Sequence, residues 1–440
     1  MHPHVERLPS DEKQPDAADI VVIGGGIVGA AAAYFLAKSG RSVALVEKGY
    51  VGCEQSSRTW GWCRQQNRDA RELPLSNLSM RLWDVLAQEI GKDLGFRRCG
   101  LLYATDDSKQ LAEWDRWRET ARLFNIETRM LSAQEAAERI PATRRKWVGG
   151  LHNSADGKAE PALAAPALAA GARAHGATIH QNCAARRLDV VNRTVKGVYT
   201  EKGLIRAHAV LCAAGAWASA FCRPYEVDFP QASVRQTALR SRPTANVGEV
   251  VYTPDCALTR RLDGSYTMAI SGRATLELTP QGLLFARAFL PMFVKRLKAL
   301  QIGLGASFVT GPESLATWCS KDAERFERHR VAAPAPSRRI AAAVLENVRA
   351  SFPALADLQI ADAWGAYVDC TPDAIPVISP AQGLSGLYVA AGCSGHGFGV
   401  GPGIGRLAAD LITNETPSVD PTPFRLSRFQ DGTKMEIGAI

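Results

Sequence analysis

Three glycines near the N-terminus, Gly24, Gly26 and Gly29, follow the GxGxxG spacing of a diphosphate-binding turn. The first glycine of such a turn allows the tight bend, the second lets a pyrophosphate approach the backbone, and the third lets a helix pack on the preceding strand. Glu47 follows 18 residues after Gly29, where a carboxylate can bind ribose hydroxyls and would repel a 2′-phosphate. These residues predict FAD or NAD as the cofactor and disfavour NADP.

The elements that must position these glycines are a strand, a helix and a second strand. Ile20 to Ile23 has the continuous apolar pattern of a buried parallel strand, and the small-residue helix Ala30 to Lys38 ends at Gly40. Val43 to Val46 forms the next strand. This order places the unpaired N–H groups at the start of the helix against the diphosphate. The alternative is a glycine-rich turn in an α/β domain that binds no nucleotide.

Another glycine-rich stretch lies near the C-terminus, after an apolar strand. It carries seven glycines from Gly392 to Gly405, and the sequence predicts a loop there, followed by a helix that ends before Asn414. A loop with so many glycines lets backbone N–H groups approach a ligand closely. We therefore expect the first and last parts of the chain to build one domain.

Composition limits the broad class of the protein. A chain of 440 residues is too long for one ordinary domain, and its net charge of +8 is spread over interleaved basic and acidic residues without a nucleic-acid motif. Ten cysteines without metal-type spacing predict buried free thiols in a reducing compartment and no metal site. Since no signal-peptide pattern and no apolar stretch of about 18 residues occurs, we expect a cytoplasmic protein without a transmembrane segment.

A tract from Leu283 to Leu300 combines apolar and basic residues at helical spacing. We interpret it as an amphipathic helix that faces the core and is kinked at Pro291. A subunit contact and a basic face lying on a membrane surface are the alternatives.

Four stretches together resemble the D-amino-acid oxidase / glycine oxidase superfamily of FAD enzymes. They are GGGIVG with Glu47, the loop EQSSR, the strand end AAGAW, and the C-terminal GCSGHGFGVGPGIG. The stretches VEKGYVGCEQSSR, CAARRLDVV…VYTEKG and VDPTPFRLSRF are most similar to the branch of L-amino-acid oxidases and deaminases. The resemblance covers nearly the whole chain and implies FAD as the cofactor.

The resemblance also implies an α/β fold with a Rossmann-type FAD-binding domain and a discontinuous α+β substrate domain that has a mixed or antiparallel sheet. We assign residues 17–90, 155–222 and 364–420 to the FAD-binding domain, and residues 91–154 and 223–363 to the substrate domain. Residues 1–16 are predicted to be a disordered leader.

The resemblance implies cofactor contacts in five parts of the chain. These parts are the dinucleotide motif, the loop after it, one strand, one strand end and the C-terminal stretch. The residues are Gly24, Gly26, Ile27, Val28, Gly29, Glu47, Lys48, Gln55, Ser56, Ser57, Arg58, Ala185, Gly215, Trp217, Ser394, Gly395, His396, Gly397 and Phe398.

An amino-acid substrate needs a cation for its carboxylate, and arginine suits this better than lysine because its donors form a planar pair. By the resemblance, Arg273 matches the carboxylate-binding arginine, and Arg64 with Gln65 is a second candidate. Trp364 and Tyr367 match pocket-wall positions, and Trp62 is a further candidate of the same kind. A solvated charge for Arg273 and core positions for the three aromatic residues stay open.

Three further polar residues have roles that the sequence leaves open. His396 lies among the C-terminal glycines and is a candidate either for a structural hydrogen bond or for tuning the flavin. Asp369 and Asp373 can fix loops or face a cationic substrate side chain.

The resemblance implies oxidative deamination of an L-amino acid to a 2-oxo acid and ammonia. The flavin would then pass its electrons to O₂, giving H₂O₂, or to another acceptor. No nucleic-acid partner is expected, and a homo-oligomer stays open. The alternatives are an oxidase or dehydrogenase of a D-amino acid or secondary amine, a non-catalytic flavin-binding protein, and an NAD-dependent dehydrogenase.

Overall fold

A computed structural model describes residues 3–140, 143–318 and 324–438. Its strands are β1 (Ile20–Ile23), β2 (Val43–Val46), β3 (Trp62–Cys63), β4 (Arg97–Arg98), β5 (Leu101–Thr105), β6 (Arg129–Leu131), β7 (Gly149–Asn153), β8 (Gly157–Lys158), β9 (Thr178–His180), β10 (Ala185–Val191), β11 (Thr194–Thr200), β12 (Gly203–Arg206), β13 (Ala209–Cys212), β14 (Ala232–Ser241), β15 (Val250–Tyr252), β16 (Ala257–Arg260), β17 (Tyr266–Ala269), β18 (Ala274–Glu277), β19 (Leu300–Gly303), β20 (Ile360–Cys370), β21 (Val377–Pro380) and β22 (Leu387–Ala391). Its α-helices are α1 (Ile27–Lys38), α2 (Gln55–Arg58), α3 (Leu73–Ile90), α4 (Ser108–Leu123), α5 (Ala133–Arg139), α6 (Ala164–Ala174), α7 (Ala218–Cys222), α8 (Pro280–Leu284), α9 (Ala286–Arg296), α10 (Leu315–Trp318), α11 (Arg338–Ser351) and α12 (Gly397–Thr413).

A six-stranded sheet carries the dinucleotide motif. Its strand order is β21-β22-β13-β1-β2-β9, and every neighbouring pair is parallel except β21 with β22. Helix α1 connects β1 to β2 and begins at Ile27, earlier than the predicted Ala30. The predicted strand–helix–strand unit is therefore confirmed, and so is the mixed α/β class.

The central strand β1 is buried on both faces of this sheet. Ile20 and Val22 belong to the apolar cluster formed with helices α1, α3, α6 and α12, whereas Val21 and Ile23 belong to the cluster formed with the sheet β10-β11-β12. Because successive side chains of a strand point to opposite faces, a strand covered on both sides needs this unbroken apolar run.

A ten-stranded sheet forms the second half of the fold. Its order is β19-β18-β14-β17-β16-β15-β5-β7-β6, and β20 also pairs with β14. Its pairs are antiparallel except β5 with β15 and β18 with β19, which makes the sheet mixed as predicted. Helix α11 packs on it through Ile340, Val344 and Val348, which lie on one face because they are four residues apart.

Strand β20 crosses the predicted domain boundary. We assign residues from 364 onward to the FAD-binding domain, yet β20 pairs with β14 from Cys370 opposite Ala232 to Ile360 opposite Ser241. Residues 360–370 therefore belong to the large sheet. An apolar pattern predicts a strand but does not reveal which strand it pairs with. The remaining division into domains stays a prediction.

The C-terminal glycines lie mostly in a helix, so the predicted loop is limited to residues 392–396. Helix α12 begins at Gly397 and contains five of the seven glycines. A Cβ at Gly401 would lie 2.8 Å from Ile27 Cγ1, and a Cβ at Gly405 would lie 2.5 Å from Ala31 Cβ. These glycines are required because α12 packs closely against α1, and not because the chain turns.

The tract from Leu283 to Leu300 differs from its prediction as well. It forms α8 and α9, which separate at Phe285, and Pro291 lies inside α9. Leu290 and Val294 are 57% and 67% exposed. The core-facing interpretation is therefore wrong for these two residues, and Leu290, like Phe289 and Phe293, borders the large cavity described below. A subunit contact and a membrane-surface face remain open.

The N-terminal segment packs along the edge strand β9, so the predicted disorder is wrong for residues 3–16. The Asp11 N–H donates to the Ile179 carbonyl at 2.8 Å, Gln181 Nε2 donates to the Leu8 carbonyl at 2.6 Å, and Val5 is buried. An edge strand has unpaired backbone groups, which this extended segment satisfies. Residues 1 and 2 lie outside the described part.

Two further predictions concern membrane-spanning helices and the state of the cysteines. Within the described ranges, no helix combines the length and apolar character needed to cross a bilayer. Nine cysteines are described; all are free, and all but Cys99 are buried, which confirms the predicted buried thiols. Cys319 lies outside the described residues.

Candidate cofactor and active site

A cavity of about 950 Å³ lies between the carboxyl ends of β1, β2 and β13 and the ten-stranded sheet. Ligands of open α/β sheets bind at this edge. Gly24, Glu47 and Ala213 line it on one side, and Tyr252 and Trp364 line it on the other. The volume lies at the upper end of the range for ligand sites, which suits a dinucleotide together with a substrate.

The glycine turn has the geometry that its spacing predicts. Gly24 has φ +103°, and a Cβ there would lie 2.5 Å from the Ala213 carbonyl oxygen. A Cβ at Gly29 would overlap the Gly24 carbonyl oxygen. The first glycine is thus required for the bend and the last for the contact of α1 with the turn.

Helix α1 begins at the cavity. Gly26 precedes it, and a Cβ on Gly26 would meet only Ser56 Oγ at 3.3 Å, which leaves room for a ligand. The Ile27 N–H donates to Ser56 Oγ at 2.9 Å. The N-terminus of α1 is therefore open to an anion, and α2 packs beside it.

Glu47 is held with both carboxylate oxygens oriented. Oε2 accepts from the Gly25 N–H at 2.8 Å, and Oε1 accepts from the Gly49 N–H at 2.7 Å. Burial raises the pKa of Glu47 despite these bonds and the nearby Lys48. Each oxygen can accept a second hydrogen bond, which is what ribose hydroxyls need.

Most of the predicted cofactor residues line the cavity. They are Gly24, Gly26, Ile27, Val28, Glu47, Lys48, Gln55, Ser56, Arg58, Ala185, Gly215, Trp217, Ser394, Gly395, His396, Gly397 and Phe398. Gly29 and Ser57 do not belong to this lining. Gly29 contacts the turn as described, and Ser57 Oγ donates to the Glu54 carbonyl at 3.2 Å.

His396 forms a buried pair with Glu72 at the other end of the cavity. Its Nδ1 lies 3.0 Å from Glu72 Oε2. Burial and the nearby Arg68 lower the pKa of His396 to about 4. Burial opposes ionisation of Glu72, but His396 and Arg68 lower the pKa of Glu72 to about 2. The structural hydrogen bond predicted for His396 is therefore present, with a neutral imidazole that donates to a carboxylate.

The two aspartates fix loops. Asp369 Oδ2 accepts from the Gly392 N–H at 2.7 Å and from Gln231 Nε2 at 3.1 Å, and burial raises the pKa of Asp369 to about 6. Asp373 accepts from the Arg428 guanidinium at 2.9 and 3.1 Å. These contacts favour the loop-fixing interpretation over contact with a cationic substrate.

The two candidate arginines lie in different places. Arg64 lines the cavity, and its guanidinium carbon is 5.9 Å from the Trp62 ring centroid. Arg273 is exposed on the turn after β17 and does not belong to the cavity lining, although its neighbours Ser271 and Gly272 do. Arg64 is therefore part of the site, and Arg273 lies at its edge.

The other candidates divide in the same way. Trp364 is buried in the cavity wall and donates from Nε1 to the Arg58 carbonyl at 3.1 Å. Tyr367 also lines the cavity, with its hydroxyl 3.1 Å from Ser307 Oγ. Gln65 does not belong to the cavity lining. Its side-chain amide donates to Asn77 Oδ1.

Sequence reasoning missed Arg68. The side chain is 3% exposed, lines the cavity and lies 3.7 Å from Glu72 Oε2. Among the described residues, its Nε and Nη1 have no hydrogen-bond partner, and burial lowers its pKa to about 10. A buried guanidinium with unused donors is suited to an anion. Its spacing of four from Arg64 and Glu72 is visible in the sequence, but its burial is not.

Sequence reasoning named Trp62 as a pocket candidate but missed the wall of aromatic rings to which it belongs. Tyr103 lies 4.6 Å from Tyr252, 5.4 Å from Trp114 and 6.3 Å from Trp62, measured between ring centroids. All four residues line the cavity. They come from β3, β5, α4 and β15, so no single stretch of sequence shows the wall.

A sequence profile of the family described as DAO, FAD dependent oxidoreductase, matches residues 19–411. The chain belongs to this family. FAD is therefore its cofactor, and the chain is an FAD-dependent oxidoreductase, as the sequence predicts. The residues fit FAD, because the turn and α1 can hold the diphosphate, Glu47 the ribose, and the start of α12 the ring end.

Several solved structures are similar to this chain over nearly its whole length. L-Amino acid deaminase from Proteus myxofaciens has a TM-score of 0.91 and 27% identity, covering 98% of each chain. L-Proline dehydrogenase from P. horikoshii has a TM-score of 0.78 and 26% identity, covering 95% of this chain and 99% of that one. These matches confirm the predicted FAD-binding fold.

Curated relatives differ in length. Sarcosine oxidase subunit beta from Arthrobacter sp is 24% identical over 98% of this chain and 95% of its own length. 4-Methylaminobutanoate oxidase (formaldehyde-forming) from Paenarthrobacter nicotinovorans is 28% identical over 96% of this chain. This chain covers only 46% of the length of the 4-methylaminobutanoate oxidase.

Proposed function

We propose that this protein oxidises the α-carbon–nitrogen bond of an L-amino acid with a bulky apolar side chain. The observation that carries the proposal is that guanidinium groups and aromatic rings line one cavity. Arg64 and Arg68 lie in the same lining as the aromatic wall of Trp62, Tyr103, Trp114 and Tyr252. Guanidinium groups suit a carboxylate, and the rings suit a large apolar side chain.

Similarity to the deaminases supports the same substrate class. The Proteus myxofaciens structure is a complex with anthranilate, which carries a carboxylate and an amino group on an aromatic ring. A second deaminase, from Proteus vulgaris, has a TM-score of 0.89 and 26% identity, covering 96% of this chain. Both similarities favour an amino acid over an amine without a carboxylate.

Arg64 is our candidate for the carboxylate ligand. Its Nη1 donates to the carbonyls of Gln66 and Asn67, which fixes the plane of the guanidinium. A guanidinium fixed in this way loses little entropy when it binds a carboxylate through two parallel bonds. Arg68 adds positive charge behind it. Arg273 stays a predicted contact at the edge of the site.

The proposed reaction removes the α-hydrogen with two electrons and one amine proton, and leaves a carbon–nitrogen double bond. FAD, when bound, supplies the two-electron acceptor for this step. Water then adds to the imine carbon and ammonia leaves, giving the 2-oxo acid. The protein's part is to hold the carboxylate at Arg64 and to exclude water with the aromatic wall.

Anaerobic mixing of the purified flavoprotein with single amino acids tests this proposal. We expect L-phenylalanine and L-leucine to bleach the flavin absorbance quickly and L-alanine to do so slowly, because alanine leaves the aromatic wall uncovered. We expect the 2-oxo acid and ammonia in equal amounts, and H₂O₂ on adding air if O₂ is the acceptor. Bleaching by D-phenylalanine or sarcosine but by no L-amino acid would show that the substrate class is wrong. Bleaching by no amine at all would favour a non-catalytic flavin-binding protein.

A further inference from the structure

We propose that residues 324–337, here called the strap, close the adenosine end of the FAD cavity and set the rate at which FAD leaves. The sequence predicts only a loop around RVAAPAPSRR, within the substrate domain. In the structure the strap runs from Phe326 in the cavity wall to Ser337 at the start of α11. It consists of turns and extended chain.

The strap lies directly on the segment that follows Glu47. Lys48 Nζ donates to the carbonyls of His329 and Arg330 at 2.6 and 3.2 Å, and Arg330 Nη1 donates to the Lys48 carbonyl at 3.1 Å. A Cβ at Gly49 would overlap the Arg330 carbonyl oxygen. Because only glycine permits this approach, the cofactor loop is shaped to receive the strap.

Glu54 joins the strap to the loop EQSSR. Its Oε1 accepts from the Ala332 N–H at 2.8 Å and from Lys48 Nζ at 2.7 Å, and its Oε2 accepts from Trp217 Nε1 at 3.1 Å. Burial opposes ionisation, but Lys48 and the Ala332 N–H lower the pKa of Glu54. A buried carboxylate with these donors ties the strap to two residues of the cavity lining, Lys48 and Trp217.

Two ion pairs hold the strap to the strands beside Ala185. Arg330 contacts both oxygens of Glu201, with Nη2 and Oε2 2.7 Å apart. Glu327 Oε1 accepts from Arg186 Nε at 2.5 Å. Arg186 follows Ala185, a residue of the cavity lining that the family resemblance assigns to the cofactor. Arg330 is 37% exposed, so salt should weaken this contact.

Phe326 completes the wall at this end. Its ring lies 6.1 Å from Trp217 and 5.8 Å from Phe221. Phe326, Trp217 and Ala185 are each less than 10% exposed, at 4%, 3% and 7%. An adenosine group whose ribose lies at Glu47 would therefore be covered by the strap on this side of the cavity. Side-chain contacts, rather than pairing in a sheet, hold the strap in place at this end.

The other end of the strap is anchored on the ten-stranded sheet. The Ser337 N–H donates to Thr237 Oγ1 at 2.9 Å, and Arg235 Nη1 donates to the Ala335 carbonyl at 2.7 Å. A Cβ at Gly365 would lie 2.5 Å from the Pro334 carbonyl oxygen. The strap can therefore open at Arg330 while it stays attached at β14 and β20.

The test follows FAD release from the purified holoprotein by the rise in flavin fluorescence after dilution. Arg330→Ala and Glu54→Gln should each release FAD about tenfold faster, as expected when charge-assisted hydrogen bonds are removed. Raising NaCl from about 0.1 M to 1 M should accelerate release from the wild type, and should accelerate it less in Arg330→Ala. The control is Arg193→Ala, which breaks an ion pair of 2.7 Å with Glu226, outside the cavity lining, and should leave release unchanged.

Two results would overturn the proposal. One is an unchanged release rate in both Arg330→Ala and Glu54→Gln, and the other is an equal acceleration in Arg193→Ala. The salt dependence of the wild type needs no variant, so release that ignores salt would count against the strap even if a variant failed to fold. Faster release from Gly49→Ala would support the strap without any change of charge.

Discussion

The two ends of the cavity are built in different ways. The diphosphate end comes from one continuous stretch, residues 20–47, in which strand, turn, helix and strand follow one another. The substrate end draws on elements far apart in the chain, namely Arg64, Tyr103, Tyr252, Trp364 and His396. Local spacing therefore describes the first end, whereas only the tertiary fold assembles the second.

This difference decides what each end tolerates. At the diphosphate end backbone approaches backbone, so one added methyl group collides with a carbonyl oxygen. At the substrate end, side chains such as Arg64 and Tyr252 line the cavity, so substituting them changes affinity or charge without a collision between main chains. Substitutions matched between and within the two ends can separate these effects.

The largest effect is expected for Gly24→Ala. Gly24 and Gly40 both have positive φ, +103° and +83°, but a Cβ meets the Ala213 carbonyl oxygen at Gly24 and nothing within 4 Å at Gly40. Gly24→Ala should lose FAD on gel filtration, as measured by the ratio of flavin to protein. Gly40→Ala should keep FAD and lose about 1 kcal/mol of stability from backbone strain alone. Equal flavin content in both variants would contradict the close approach at the turn.

A smaller effect is expected at the substrate end for Arg64→Gln. Arg64 is our candidate ligand for the substrate carboxylate. Removing its guanidinium should therefore lower kcat/KM for L-phenylalanine about 100-fold. The matched variant Arg273→Gln should change kcat/KM only a few-fold, because Arg273 is exposed. FAD content should stay the same in both variants. A larger loss in Arg273→Gln would restore the assignment that the family resemblance implies.

The smallest effect is a pH dependence of stability at the same end. The pKa of His396 is about 4 in the folded chain and 6.5 ordinarily, so the unfolded chain binds more protons between these values. The contribution of His396 to stability should therefore fall by about 2 kcal/mol from pH 7 to pH 5, whereas the contribution of Asp369, whose pKa is raised, should change in the opposite direction. The Tm of His396→Gln should fall less than that of the wild type over the same range. Parallel loss of Tm in the two proteins would show that His396 is protonated in the fold.

The predictable part of the molecule is the part encoded by near neighbours. The roles of Gly24 and Gly29 follow from their spacing, because a tight turn and a helix contact involve residues only a few positions apart. Glu47 follows from the length of one helix and one strand. The sequence also shows the family, since its motifs are local.

The unpredictable part depends on contacts between distant segments. The glycines of α12 look like a loop because glycine is permissive, and the need for close packing appears only once α1 lies beside them. Arg68 looks like one of many surface charges until the fold buries it. The strap lies more than 270 residues after Lys48, and no spacing rule connects the two.

The close contact between α1 and α12 couples the positions of the two helices. A Cβ at Gly405 would lie 2.6 Å from the Ala32 nitrogen, so the two helices touch along their main chains and leave no slack for adjustment. Helix α1 starts at the turn that would hold the pyrophosphate, and α12 starts directly after His396. A displacement of one helix therefore moves the other. A mutation that shifts either helix would displace the glycine turn and His396 together, so directed evolution of this scaffold should leave the contact between α1 and α12 intact and vary the aromatic wall.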